Sequence, residues 1–148
     1  MTPLEVMKQL DLLGWPELLC GWKLGFISNK NISDFALEHL AESGDLEVAL
    51  LSSASSLSSD DISQALEKIA PNADMSTSKD KWRLARLVEL DQRNITDSQK
   101  LDELQLIYAD FDYPEDMEGC SIYSSGNESP LASMNKLIDS LQRKYRAK

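Results

Sequence analysis

Apolar residues recur at three- and four-residue intervals along most of the chain, which is the spacing of one face of an α-helix. The clearest apolar stripes run from Leu4 to Leu13, from Ile32 to Leu40, from Ile62 to Ile69 and from Leu131 to Tyr145. Only Cys120 to Tyr123 is compatible with a β-strand, and so short a fragment does not indicate a sheet. The pattern predicts an all-α fold, a compact irregular bundle of seven to nine short helices with at most a minor β fragment, in a single domain over residues 1–148.

A polar stretch at residues 72–78 lies near the middle of the chain and predicts a mobile loop. The helical pattern resumes at Asp80, with Trp82 among its apolar positions. On this helix we expect three charged side chains to be exposed: Arg83, Arg86 and Glu89.

The stretch from Leu104 to Tyr123 begins as a helix and continues into an acidic, aromatic segment. Tyr108 and Phe111 extend the apolar face of this helix and are expected in the core. The helix should break at Tyr113, because a residue that precedes proline is disfavoured in the helical region. Five carboxylates lie in this segment without any Lys or Arg. The candidate partner-binding residues are Asp110, Asp112, Tyr113, Glu115, Asp116 and Glu118.

The charge of the chain is strongly negative and unevenly placed. The net charge is -10, and two windows, Asn31 to Glu67 and Leu101 to Asn135, each hold eight acids and no Lys or Arg. Basic residues gather near the C-terminus, at Lys136, Arg143, Lys144, Arg146 and Lys148. Such a field disfavours nucleic acid and acidic membrane surfaces, and it accelerates encounter with a cationic protein. Either acidic window could supply the interface.

Residue types that carry catalysis are scarce. His39 is the single histidine, and no Ser-His or Cys-His signature surrounds it, so a nucleophilic triad is not expected. The carboxylates from Asp110 to Glu118 could bind a hard cation, but the segment lacks the glycine-centred loop of calcium sites. We therefore expect no catalytic residue, no metal and no cofactor.

The compartment follows from the cysteines and the N-terminal sequence. Cys20 and Cys120 do not form a disulfide-rich pattern, which favours a reducing environment. The start MTPLEVMKQLDLL lacks the basic residues and apolar core of a signal peptide, and no run reaches the length of a membrane span. A cytoplasmic location is the expectation.

Two segments carry a family resemblance: WKLGFISNKNISDFALEHL, from Trp22 to Leu40, and IYADFDYPEDM, from Ile107 to Met117. In these segments the chain resembles small all-helical bacterial immunity proteins of contact-dependent growth inhibition and related polymorphic toxin systems, in an otherwise uncharacterised family. The resemblance implies a non-enzymatic antitoxin that binds the C-terminal toxin domain of a sibling's protein. It further implies a nuclease as target, with an EndoU-type ribonuclease as the first expectation.

The sequence thus leads to one main hypothesis and two alternatives. The main hypothesis is a monomeric protein that neutralises a basic toxin domain in a one-to-one complex through its acidic surface. The first alternative is a carboxylate or divalent-metal-dependent hydrolase that uses the Asp110 to Glu118 loop. The second is a helical adaptor for some other protein complex.

Overall fold

The computed structural model of the chain describes residues 2–124, 126 and 128–145, which leaves the C-terminal Arg146 and Lys148 outside it. The all-α prediction is confirmed: the described residues form eight α-helices and two 3-10 helices, and they contain no strand. The α-helices are α1 (Pro3–Gln9), α2 (Trp15–Leu24), α3 (Asn29–Ser43), α4 (Leu46–Leu51), α5 (Ser59–Ile69), α6 (Met75–Asp91), α7 (Asp97–Asp110) and α8 (Pro130–Tyr145). The 3-10 helices are Ala54–Ser56 and Glu115–Cys120. Throughout these described ranges, no helix is both long enough and apolar enough to cross a membrane.

The chain divides into two compact units. The first unit combines Met1–Leu12 with Asp80–Lys148, and the second is Leu13–Lys79. The acidic window from Asn31 to Glu67 belongs to the second unit, and the acidic, aromatic segment belongs to the first. That the whole chain behaves as one domain stays a prediction.

The second unit is built from short helices that bury one apolar stripe each. Helix α4 packs against α3 and α5, and α5 packs against α2. The fully buried side chains include Leu18, Ile32, Leu51, Ile62 and Leu66. Leu40 was expected to continue the buried stripe of α3, but it is 37% exposed. His39 is half-buried, with Nδ1 2.8 Å from the Phe35 carbonyl oxygen and its ring stacked on Phe35, so its environment is structural.

In the first unit, α8 packs against the 3-10 helix Glu115–Cys120 and against α7. Trp82, Leu104 and Met117 are fully buried there. Gly119 allows the close approach of the 3-10 helix to α8, because a Cβ at this position would lie 2.8 Å from Ser133 Oγ and would force that side chain to shift. The 3-10 helix therefore packs closely against α8, and this packing fixes the direction in which its side chains point.

Helix α6 begins earlier than the sequence pattern predicted. The predicted loop at 72–78 includes the first turn of α6, which starts at Met75. Asp74 caps this turn: its carboxylate accepts hydrogen bonds from the Ser76 and Thr77 amides at 3.0 and 3.2 Å and from the Thr77 hydroxyl at 2.8 Å. Ser78 is buried and donates to Glu17 Oε2 at 2.9 Å, which explains why so polar a stretch is ordered.

The Asp74 cap predicts a pH-dependent contribution to stability. Hydrogen bonds from the Thr77 side chain, and then from backbone amides, lower the pKa of Asp74 below its ordinary value of 3.8. Because the pKa of Asp74 is lower in the folded chain than in the unfolded chain, the ionised cap adds to the free energy of unfolding. This contribution is complete above pH 3.8 and is lost as pH falls through the folded-state pKa of Asp74. The stability difference between the parent chain and Asp74→Ala, measured by urea unfolding, should shrink as pH falls below about 4. Thr77→Val should weaken this pH dependence, and a difference that is constant with pH would contradict the cap.

Candidate protein-binding site

The acidic, aromatic segment starts at a Schellman motif that ends α7. The amide of Asp112 donates to the Ala109 carbonyl at 3.0 Å, and the amide of Tyr113 donates to the Tyr108 carbonyl at 2.8 Å. Asp112 and Tyr113 have φ values of 62° and 53°, in the left-handed region. The predicted break before Pro114 is confirmed: α7 ends at Asp110, and Tyr113 lies outside the right-handed helical region while its N–H satisfies a carbonyl at the helix end.

The motif decides which aromatic rings are buried. Phe111 caps α7 and is buried, as expected, whereas Tyr108 is only half-buried. Tyr113 is 61% exposed, and its ring meets that of Tyr108 edge to face, with centroids 5.0 Å apart. Tyr113 therefore stands at the surface with its ring already supported by an aromatic neighbour.

The 3-10 helix that follows sorts its side chains onto three faces, because residues three apart eclipse in this geometry. Met117 and Cys120 form the buried face. Glu115 and Glu118, which stand one turn apart, form an exposed face. Asp116 and Gly119 share the third face, where Gly119 meets α8. The candidate carboxylates are thus divided between faces with different surroundings.

Asp116 on the third face is paired with an arginine of α6. Arg83 holds the carboxylate at two points, with Nη1 2.6 Å from Oδ1 and Nη2 2.9 Å from Oδ2. The prediction that Arg83 is exposed was wrong, since only 3% of this residue is accessible. A charge can be buried in this way because it is matched by a carboxylate in two-point geometry.

The Arg83 guanidinium connects further groups into a network. Its Nη2 also donates to Asp80 Oδ1 at 3.2 Å, and the hydroxyl of Tyr145 at the end of α8 donates to Asp80 Oδ2 at 2.8 Å. Burial lowers the pKa of Arg83, but hydrogen bonding to Asp116 and the charges of Asp116 and Asp80 outweigh it, so the pKa is raised. The network ties α6, α8 and the 3-10 helix together, and its role is structural.

Asp110 is also paired. Its Oδ2 lies 2.7 Å from Nη1 of Arg86, whose side chain is 20% exposed and whose guanidinium lies 5.8 Å from the ring centroid of Phe111. The predictions that Arg86 and Glu89 are exposed were also wrong, because the Glu89 side chain is 14% exposed and pairs with Arg93. Asp110 and Asp116 therefore present much less free charge than the sequence suggested.

The other candidates remain at the surface without a cation. Within the part of the chain that the structure describes, Asp112, Glu115 and Glu118 make no ion pair and no side-chain hydrogen bond. Together with Tyr113, they form what we call the acidic patch: Asp112, Tyr113, Glu115 and Glu118. The structure thus brings all six candidates together in the first unit but gives them two different environments.

A depression adjoins the acidic patch. It has a volume of about 320 Å³ and is lined by Tyr108, Glu118, Ser121, Tyr123 and Ser124. Gln105 of α7 fixes its edge, because the side-chain amide donates to the Cys120 carbonyl at 2.8 Å and accepts from the Ile122 amide at 3.2 Å. The segment from Cys120 to Tyr123, which the sequence marked as compatible with a β-strand, contains no strand. The Gln105 side chain bonds its backbone instead.

The comparisons with known proteins place the chain in a family. The family model described as "Uncharacterized protein conserved in bacteria (DUF2247)" matches residues 4–145. The chain belongs to the DUF2247 family. No curated protein and no solved structure matches it. The resemblance to a helical bacterial family is confirmed at this level, and the immunity role stays a prediction.

The described side chains of this DUF2247 protein can be searched for a metal site. Across residues 2–124, 126 and 128–145, no group of three or more His, Cys, Asp or Glu side chains is arranged to hold a metal ion. We expect titration calorimetry with calcium, magnesium and manganese to give no stoichiometric heat. Measurable one-to-one binding would instead favour the hydrolase alternative, because those cations take the oxygen ligands that the Asp110 to Glu118 loop offers.

The two cysteines of the DUF2247 chain are shielded from reaction. Both thiols are free and buried, and burial raises the pKa of each to about 11. Because the thiolate is the nucleophile, native protein at pH 8 should react with iodoacetamide far more slowly than protein unfolded in urea. Mass spectrometry after a timed quench would measure this, and rapid labelling of Cys20 or Cys120 in native protein would contradict the buried placement.

Proposed function

We propose that this DUF2247 protein is an immunity protein that binds and neutralises the basic toxin domain of a contact-dependent inhibition or related polymorphic toxin system. The acidic patch is its contact surface, and the complex is one-to-one. The target is a nuclease domain, with an EndoU-type ribonuclease as the first candidate. In this proposal the protein acts by occupying the cationic substrate surface of the toxin and performs no catalysis.

The acidic patch carries the proposal. Glu115 and Glu118 stand on the same face of a 3-10 helix one turn apart, and neither has a partner among the described residues. Eclipsed like charges repel each other, so this arrangement costs stability unless a cationic partner neutralises it. Asp116, one residue away, is in contrast paired with Arg83. Unpaired acids beside an exposed tyrosine are the groups that a cationic protein would contact.

The exposed tyrosine supplies the apolar part of the contact. Tyr113 is supported by Tyr108, so little side-chain freedom is lost when a partner covers its ring. The carboxylates around it would raise the association rate with a cationic domain. We expect nanomolar or tighter affinity that weakens with added salt, mainly through slower association.

The test is protection of cells that express the cognate toxin domain, taken from a secreted protein encoded immediately upstream. Joint replacement of Asp112, Glu115 and Glu118 by serine should reduce survival and complex formation, while the helical circular dichroism stays unchanged and Tm does not fall. Asp116 is left intact in this variant because its loss would break the Arg83 network and mix instability with lost contact.

A matched control removes the same charge from the second unit. Glu38, Glu42 and Asp60 are exposed acids of the window from Asn31 to Glu67, and their joint replacement with serine should leave protection intact. If that variant loses protection while the acidic-patch variant keeps it, the chosen surface is wrong and the other window forms the interface. If no toxin domain binds the parent chain at all, the immunity proposal itself fails.

A further inference from the structure

Helix α4 in the second unit carries apolar side chains on an exposed face. Val48 and Leu51 are buried on its inner side, whereas Leu46 is 83% exposed and Leu50 is 46% exposed. Leu46 and Leu50 are four residues apart, so they lie on the same face of the helix. A single exposed leucine is ordinary, but two adjacent ones on one face of a six-residue helix form an apolar strip.

This strip borders a groove between α4 and α5. The groove has a volume of about 130 Å³ and is lined by Leu46, Glu47, Leu50, Asp61, Gln64, Ala65 and Lys68. Ala65 is 2% exposed, and its small side chain contributes to the space between the two helices. An engineered apolar cavity of about 150 Å³ holds a benzene molecule, so the groove has room for one leucine-sized side chain.

The charges around the groove select the kind of occupant. Glu47 and Asp61 are two carboxylates of the lining, and Lys68 is its single cation. The surrounding segment from Asn31 to Glu67 has eight acids and no Lys or Arg. An apolar strip with acidic borders is complementary to an amphipathic helix whose apolar residues are flanked by Lys and Arg.

We propose that the groove between α4 and α5 binds a basic amphipathic helix of a partner protein. The helix lies along α4, places one aliphatic side chain between Leu46, Leu50 and Ala65, and directs basic side chains towards Glu47 and Asp61. This surface shares no residue with the acidic patch and does not require that the partner be a toxin domain.

The experiment measures binding of fluorescein-labelled synthetic peptides to the full chain by anisotropy. One peptide is a basic amphipathic helix with leucines four residues apart, the second carries Glu in place of each Lys, and the third has the basic composition with its leucines spread around the helix. We expect saturable binding of the first peptide alone. Equal binding of the first and third peptides, or no binding of the first, would overturn the proposal.

Variants locate the site. Leu46→Ser with Leu50→Ser should weaken binding of the first peptide at least tenfold, because burial of aliphatic surface supplies much of the affinity. Leu106→Ser is the matched control, since Leu106 is a 55% exposed leucine of the first unit, and it should leave affinity unchanged. Circular dichroism of each variant checks folding. Equal losses of peptide affinity in the groove variant and in the Leu106→Ser control would contradict the assigned site.

A charge pair tests the polarity of the groove. Glu47→Gln should lower the affinity for the basic peptide about threefold, and Lys68→Gln should raise that affinity by a similar factor, as expected for exposed ion pairs. Affinity unchanged in both variants would refute the role of charge. The acidic-patch variant with Asp112, Glu115 and Glu118 replaced should bind this peptide normally, so failure of this proposal and failure of the toxin-binding proposal can be told apart.

Discussion

Replacing Arg83 with alanine should lower the free energy of unfolding by about 3 kcal/mol, at the low end of the range for breaking buried ion pairs. The guanidinium is almost fully buried and bonds both Asp116 and Asp80. Its removal leaves the carboxylates of Asp116 and Asp80 without the cation that they share. The side chains of Asp116 and Asp80 are 44% and 31% exposed, so water can partly compensate, and this keeps the effect at the low end. Urea unfolding followed by far-UV circular dichroism measures the change.

A surface arginine provides the control for this prediction. Arg93 pairs with Glu89 of α6 at 2.7 Å and more loosely with Glu103 of α7 at 3.7 Å, and its side chain is 40% exposed. Arg93→Ala should therefore cost less than about 1 kcal/mol. Arg83→Lys keeps the charge but loses two-point contact with Asp116, so its cost should fall between those of the two alanine variants. If Arg83→Ala and Arg93→Ala destabilise equally, the buried network is not the source of the effect.

The helices could be predicted from sequence because the signals that define them are local. Thr2 caps α1, Ser28 caps α3 and Ser58 caps α5 through side-chain oxygens that lie within three residues of the amides they accept from. The capping box of Thr96 and Gln99 likewise starts α7. Asp74 begins α6 in the same way, but the polar residues around it read as a loop.

The pairing of Arg83 with Asp116 could not be predicted, because 33 residues separate them and no local pattern joins them. On α6, Arg83 follows the fully buried Trp82, and the sequence pattern predicts an ordinary exposed charge at this position. Arg83 is buried in the structure and pairs with Asp116 of the 3-10 helix. The sequence around Asp116 did carry one signal of its different environment. Glu115 and Glu118 are three apart, as are Met117 and Cys120, and this period separates the exposed acids from Asp116.

This division gives the acidic segment two separable roles. Asp110 and Asp116 face arginines of α6 and hold the segment in place, while Asp112, Glu115 and Glu118 remain for a partner. An acidic stretch in sequence therefore overstates the charge that a partner would meet. It also means that replacing all five carboxylates together would confuse folding with binding.

Asp112 allows effects on stability and on binding to be separated at one residue, because a matched position exists just after the end of α1. Asp11, with φ of 56°, occupies the same place in a second Schellman motif, in which the amide of Leu12 donates to the Met7 carbonyl at 3.0 Å. Both aspartates hold a left-handed conformation that glycine adopts without steric cost. They belong to the same unit, but only Asp112 lies in the acidic patch.

Asp112→Gly and Asp11→Gly should each raise the free energy of unfolding by about 1 kcal/mol, because each relieves a non-glycine residue of the left-handed conformation. Only Asp112→Gly should weaken binding to the toxin domain, since it removes a carboxylate of the acidic patch, whereas Asp11 lies outside that patch. Urea unfolding gives the first quantity, and association rates at two salt concentrations give the second. Equal binding by both variants would mean that the Asp112 carboxylate does not contact the toxin domain, and the contact surface would then reduce to Tyr113, Glu115 and Glu118.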